Sequence, residues 1–121
     1  MKRKARKPKK PERMTKAKLR KLERRERRKA LIAWSLGVRA GGECEVCKAT
    51  EHLNAHHLLD RVRYPMHRTN PLNGICLCPR HHKFGAYSFH RNPIWSVIWL
   101  RINVYERYAW CKAHVNDAKG P

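Results

Sequence analysis

The sequence predicts an α+β fold in which helices flank a small, irregular centre containing two short strands. Three observations point to it. Apolar residues recur at spacings of three and four in two stretches, residues 14–40 and 93–115. Between them, HLNAH (52–56) and GICLC (74–78) have the length of strands. Residues 43–92 are otherwise rich in Cys, His, Asn, Pro and Gly, with short apolar runs only. A centre of that composition in a 121-residue chain needs support beyond a hydrophobic core.

Three parts follow one another along the chain: a basic disordered tail (1–13), a basic helix (14–40), and a domain with C-terminal helices (41–121). The opening MKRKARKPKKP has one apolar side chain beyond Met1, Ala5, and two prolines, so it cannot bury enough surface to order itself. Thr15 is placed to cap the helix, along which Leu19, Leu22, Ala30, Ala33 and Trp34 recur, with Glu23 and Arg27 as an i,i+4 pair. The glycines of AGG (40–42) end it. The segment DRVRYPMHRTNPLN (60–73) reads as a loop long enough to suggest a function. A short helix is expected from Pro79, in PRHHKF. Asn92-Pro93 supplies a cap and a first-turn proline for PIWSVIWLRIN and VYERYAWCKAHV, read as two helices or one interrupted helix. Trp34, Trp95, Trp99 and Trp110 fall on helical faces and are assigned to the core rather than to stacking on a ligand.

The formal net charge is +20, and residues 1–29 carry +14 of it. Such an imbalance favours nucleic acid or another acidic surface as partner, with the basic run as a phosphate-binding arm; the plainer reading is a solvated tail. A membrane partner is disfavoured, because no apolar run reaches the ~18 residues of a spanning helix. The start of the chain also lacks the apolar stretch of a secretory signal. Five cysteines, an odd number, argue against a closed disulfide framework and for thiols used as metal ligands in a reducing cytoplasm.

CEVC (44–47) is a Cys-x-x-Cys knuckle, and CPRH (78–81) is a Cys-x-x-His of the same spacing. Two such turns can converge on one tetrahedral zinc, because each presents both side chains to the same ion. Cys44, Cys47 and Cys78 are three of its ligands; His81, His82 and Cys76 compete for the fourth place. Cys111 is assigned to packing. With His81 on the zinc, His56, His57, His82 and His90 remain. A purely structural finger has no use for them, which points to a second site.

NAHHLL followed by NGICLCPRHHKF resembles the HNH endonuclease family, and more closely its small phage-type members with a Cys-x-x-Cys zinc knuckle around a ββα-metal motif. The similarity covers residues 43–92, extends weakly to the C-terminal helices and leaves out the basic tail. The family pattern has a His-His or Asp-His pair, an Asn five residues before a Cys, and a final Cys-x-x-Cys-His. Here these are His56-His57, Asn73 and Cys78–His82, with His81 where a Cys is usual. The resemblance implies structural Zn²⁺ on Cys44, Cys47, Cys78 and His81. It implies a catalytic divalent cation (Mg²⁺, Mn²⁺ or Ni²⁺) on His56 and His82, completed by His90. It makes His57 the general base and Asn73 the residue that ties the loop and orients that base. Neutral imidazole suits the task near pH 7, and alternation along a strand lets His56 and His57 divide the work. Asn73-Gly74 is also a strong turn dipeptide.

Arg61, Arg63, Arg68, Arg80 and Lys83 are candidates to grip phosphates beside the scissile bond. The expected partner is DNA, most simply double-stranded, with phage packaging or replication proteins as further partners and the cytoplasm, a host's if phage-encoded, as location. The competing reading is a noncatalytic zinc-stabilised nucleic-acid-binding module, which leaves His56, His57, Asn73 and His82 unexplained together. A third is a small assembly protein of a packaging complex or ribonucleoprotein.

Overall fold

The computed structural model describes residues 2–8 and 13–120. Three helices and a two-stranded sheet follow in the order α1 (Lys16–Val38), β1 (Asn54–His57), β2 (Gly74–Leu77), α2 (Pro93–Asn103) and α3 (Tyr105–His114). The fold is therefore α+β. Of the expected disordered tail, residues 1 and 9–12 lie outside the described residues; residues 2–8 are exposed and belong to no helix or strand. Among the described residues no helix is long and apolar enough to cross a membrane.

α1 starts where its cap predicts: Thr15 Oγ1 accepts from the Lys18 N–H at 3.2 Å. It ends slightly early, at Val38. The Arg39 side chain folds back to donate to the Ser35 carbonyl at 3.3 Å. Gly42 then turns the chain with φ +73°, the left-handed region that glycine enters freely. Glu26 pairs with Lys29 at 3.5 Å, instead of Glu23 with Arg27; an exposed pair of this kind carries small energetic weight. At the other end of the chain, Asn92 Oδ1 accepts from the Trp95 N–H at 3.1 Å and Pro93 opens α2. The interruption after it is real: Val104 is non-helical (φ −138°, ψ 62°) and separates α2 from α3.

The strands pair antiparallel, with Asn54 opposite Leu77, Ala55 opposite Cys76, His56 opposite Ile75 and His57 opposite Gly74. β2 is buried throughout, while β1 runs from exposed to half-buried. The core around them is small: Cys44, Ile75, Leu77, Cys78, Phe89 and Leu100, with Trp95 and Trp99 of α2 packed against it. Two of those six are candidate metal ligands, so the core and the metal chemistry share atoms.

PRHHKF does not form an ordinary short helix. Arg80–Phe84 make a single wide turn of π type, closed by the Gly85 N–H on the Arg80 carbonyl at 2.7 Å. A Cβ at position 85 would sit 2.6 Å from that carbonyl oxygen, so this closure requires glycine.

Gly74 has a different role. A Cβ there would lie 2.5 Å from Val38 Cγ2 and 2.9 Å from Trp34 Cζ2. The missing side chain is what lets α1 lie against the sheet edge. Gly74→Ala is expected to push α1 away and to lower stability by about 1–3 kcal/mol, the usual overpacking cost; urea unfolding measures this. A neutral substitution would mean that α1 does not lie this close.

Candidate functional site

Two sets of ligating atoms converge around the β1–β2 unit. The first joins Cys44, Cys47, Cys78 and His81, whose sulfur and nitrogen atoms all lie within 4.8 Å of one another. The His81 Nδ1 is 3.3 Å from the Cys78 sulfur and 4.0 Å from that of Cys44, and the Cys47 and Cys78 sulfurs are 3.7 Å apart. Metal–sulfur bonds of about 2.3 Å at the tetrahedral angle put two sulfurs ~3.8 Å apart, so this set can hold a metal ion. All the cysteines are free thiols. Burial raises the Cys44 pKa, but backbone N–H donors of Cys78, Cys47 and Val46 outweigh it and hold the thiol below its ordinary value. The contest for the fourth place resolves by position: His81 joins the sulfurs, His82 joins the other set, and Cys76 stays buried on β2, its N–H donating to Glu45 Oε2 at 2.8 Å.

Glu45 sits inside the knuckle and also binds Arg107 of α3 through both guanidinium nitrogens. Arg107 donates further to the Gly74 carbonyl at 2.9 Å. Burial raises the Glu45 pKa, but Arg107 overrides it and holds the carboxyl below its usual range. α3 is thereby tied to the knuckle and to β2 by one half-buried ion pair.

The second set is His56, His82 and His90, again within 4.8 Å of one another. His56 comes from β1 and His82 from the wide turn. His90 is delivered by backbone pairing of two segments: the Phe89 and His90 N–H groups donate to the His81 and His82 carbonyls at 2.8 and 3.1 Å. The Nε2 atoms of His82 and His90 are 3.1 Å apart. Burial, then the neighbouring charges of His82 and His90, push His56 down to about 3. Burial and His90 push His82 down to about 4. Both are neutral imidazoles at pH 7, the form that ligates metal.

His57 is held from two sides. Its Nε2 lies 2.9 Å from the Arg68 carbonyl. A carbonyl only accepts, so Nε2 carries the proton and Nδ1 carries the lone pair. Trp34 of α1 stacks on the ring at 3.8 Å and 9°, and its Nε1–H donates to the Asn70 carbonyl at 3.0 Å. Burial, with Arg61 adding to it against the Arg68 carbonyl, keeps the His57 pKa below its ordinary value. Asn73, fully buried, braces the same loop from inside: Oδ1 accepts from the Leu59 N–H at 2.7 Å, and Nδ2 donates to the carbonyls of Leu59 (3.0 Å) and His67 (3.1 Å). It thus fixes residues on both sides of the His57–Arg68 contact.

No family model, curated protein or solved structure matches the chain.

His56, His57, His82 and His90 line one groove of about 520 Å³, with Asp60, Arg61, Lys83 and, from α1, Leu31 and Ser35. A second groove of about 510 Å³ shares Leu31, Arg61 and Val62 with it and adds Arg24, Arg27, Arg28 and Arg68. Of the expected basic contacts, Arg61, Lys83 and Arg68 therefore line this surface. Arg63 does not; it pairs with Asp60 at 3.4 Å. Arg80 is exposed on the wide turn and lines neither groove. Sequence reasoning missed Trp34 and Arg107 as parts of the site, whereas Arg24, Arg27 and Arg28 fall in the basic run it expected to bind phosphate. Trp34 carried a signal, being the one indole on an otherwise basic helix, but its partner lies in the centre of the chain.

Metal removal tests the first set. Cys47 is exposed, so Cys47→Ser perturbs packing by only about 0.5 kcal/mol on its own. If a metal ion supports the core, Cys47→Ser and a strong chelator should each cost at least ~2 kcal/mol, since binding energy becomes folding energy. Thermal melts with and without added metal check this; equal melting of all samples would rule out a metal in the core.

Proposed function

We propose that the chain is a metal-dependent endonuclease of the HNH type that hydrolyses phosphodiester bonds in DNA. The observation that carries the reading is His57, an imidazole whose Nε2–H is engaged and whose Nδ1 is free to take a proton, beside three histidines in one basic groove. A structural zinc would be held by Cys44, Cys47, Cys78 and His81, a donor set of the kind zinc prefers. His56, His82 and His90 would hold the second cation, which when bound supplies a Lewis acid at the phosphate and charge for the departing oxygen. Three imidazoles with no carboxylate suit Ni²⁺ or another borderline ion better than Mg²⁺.

In the reaction, His57 Nδ1 takes a proton from water, the water oxygen bonds to phosphorus, the bond from phosphorus to the 3′ oxygen breaks, and the departing 3′ oxygen takes a proton from solvent. The products carry 5′-phosphate and 3′-hydroxyl ends. Arg61 and Lys83 counter phosphate charge in the groove, and Arg24, Arg27, Arg28 and Arg68 extend the positive surface along the flanking backbone. Trp34 and Asn73 are positioning residues: they hold the ring and the loop carbonyl that fixes its tautomer. β1, β2 and the wide turn Arg80–Phe84 would form the ββα-metal motif, its helix cut to one turn.

Supercoiled plasmid incubated with Ni²⁺, Mn²⁺ or Mg²⁺, with EDTA as control, tests the reading. His57→Ala should lower cleavage at least ~100-fold with DNA binding retained. Full activity in that variant would remove His57 from the chemistry, and tight binding without cleavage under any cation would favour a noncatalytic binding module.

Trp34 separates positioning from binding. Trp34→Ala should lower kcat about tenfold, a loss of about 1.4 kcal/mol, with DNA affinity unchanged, and Trp34→Phe should recover most of it by restoring the stack. Equal losses in Ala and Phe would assign the effect to the Asn70 hydrogen bond instead.

A further inference from the structure

A third convergence of ligating atoms lies outside the groove. His67 ends the tight turn Pro65–His67 in the long loop, His114 ends α3, and Asp117 closes the turn Val115–Asp117. The His67 Nε2 and the His114 Nδ1 are each 2.9 Å from Asp117 Oδ2, and the three ligating atoms lie within 4.8 Å of one another. The two imidazoles meet edge to face at 4.7 Å, and Trp110 packs against both, at 5.2 and 4.8 Å. Two further bonds run beside them: the Tyr64 hydroxyl donates to the Val115 carbonyl at 2.7 Å, and the Lys119 N–H to the Arg63 carbonyl at 2.8 Å.

We propose that His67, His114 and Asp117 form a binding site for a divalent transition-metal ion, which fastens the C-terminal segment to the long loop. Metal bonds of about 2.1 Å at right angles place neighbouring donor atoms ~3.0 Å apart, close to the two nitrogen–oxygen distances observed. Two imidazoles and one carboxylate select a borderline ion such as Ni²⁺, Zn²⁺ or Co²⁺ over Mg²⁺ or Ca²⁺. The carboxylate supplies a negative charge to the ion. The donors are held by a helix end and two tight turns before any ion arrives, so little ordering remains to oppose binding. Because His67 and His114 are far apart in sequence, the ion would close a long loop, where such a clip constrains the chain most. His67 also adjoins Arg68, whose carbonyl accepts from His57, and its own carbonyl accepts from Asn73. The ion would stiffen the backbone that holds His57. The site does not depend on the endonuclease reading.

The test uses the full chain with Ni²⁺ as probe, the cysteine set already loaded with Zn²⁺. In a background carrying His56→Ala, His82→Ala and His90→Ala, calorimetry should find one Ni²⁺ equivalent. Adding Asp117→Ala should abolish it, and Asp117→His, which keeps three ligating side chains, should restore it. Asp117 is 46 % exposed, so neither change should disturb the fold, and circular dichroism verifies this. If the triple background fails to fold, bound nickel in the otherwise wild-type chain should fall by one equivalent on Asp117→Ala. Trypsin reads the fastening: Ni²⁺ should slow cleavage after Arg61, Arg63 and Arg68 about tenfold, and not in Asp117→Ala. An unchanged nickel count in Asp117→Ala would overturn the site, showing the cluster to be a hydrogen-bonded network only. Binding without protection would overturn the fastening.

Discussion

Two consecutive side chains, His81 and His82, belong to different sets of ligating atoms, and the backbone between them is one wide turn. That turn is held by the Cys78 carbonyl accepting from the His82 N–H at 2.8 Å and by the Gly85 closure. The same five residues thus set the distance between the cysteine cluster and the histidine cluster. Neither cluster can shift without moving the other. With a central cluster of six buried side chains, two of them cysteines of the first set, the fold has little apolar material to impose this spacing by packing alone. The polar geometry of the turn does so instead.

The remaining elements are docked onto this centre by a few specific contacts. α3 arrives through Arg107, which engages the knuckle carboxylate of Glu45 and the edge of β2 together. α1 arrives through Trp34 and Val38, admitted by the missing side chain of Gly74. The long loop is held by Asn73 from within and by Trp34 Nε1 on the Asn70 carbonyl from outside. Several of these contacts end on His57 or beside a clustered ligand: Trp34 stacks on His57 and Arg107 reaches Glu45, next to Cys44.

What the sequence made legible was mostly local. Thr15 and Asn92 cap their helices, β2 falls within GICLC and β1 overlaps HLNAH and runs on to His57, and the knuckle spacing announced its own cluster, because each of these is decided by residues a few positions apart. Pro79 suits a helix start, yet Arg80–Phe84 form a wide turn; the close approach of Gly85 to the Arg80 carbonyl that permits its closure is not a compositional signal. The stack of Trp34 on His57, the Arg107–Glu45 pair and the His67–His114–Asp117 cluster join distant parts of the chain. Apolar periodicity tells which face of a helix is turned inward but not what that face meets. Trp34 was accordingly assigned to the core, which is true of its burial at 7 % exposure and silent about its partner.

Among the described residues, the buried and half-buried side chains of α1 all lie near its C-terminal end. Residues 16–30 are exposed throughout, and its first half-buried side chain is Leu31. At 1.5 Å per residue those fifteen positions form a cantilever of about 22 Å. Its fulcrum is Trp34, in van der Waals contact with His57. A load on the basic tip is therefore not absorbed locally, because a continuous helix carries tilt along its axis. It is delivered as a small displacement of an indole on an imidazole, which makes the most remote part of the chain mechanically adjacent to the histidine it seems farthest from.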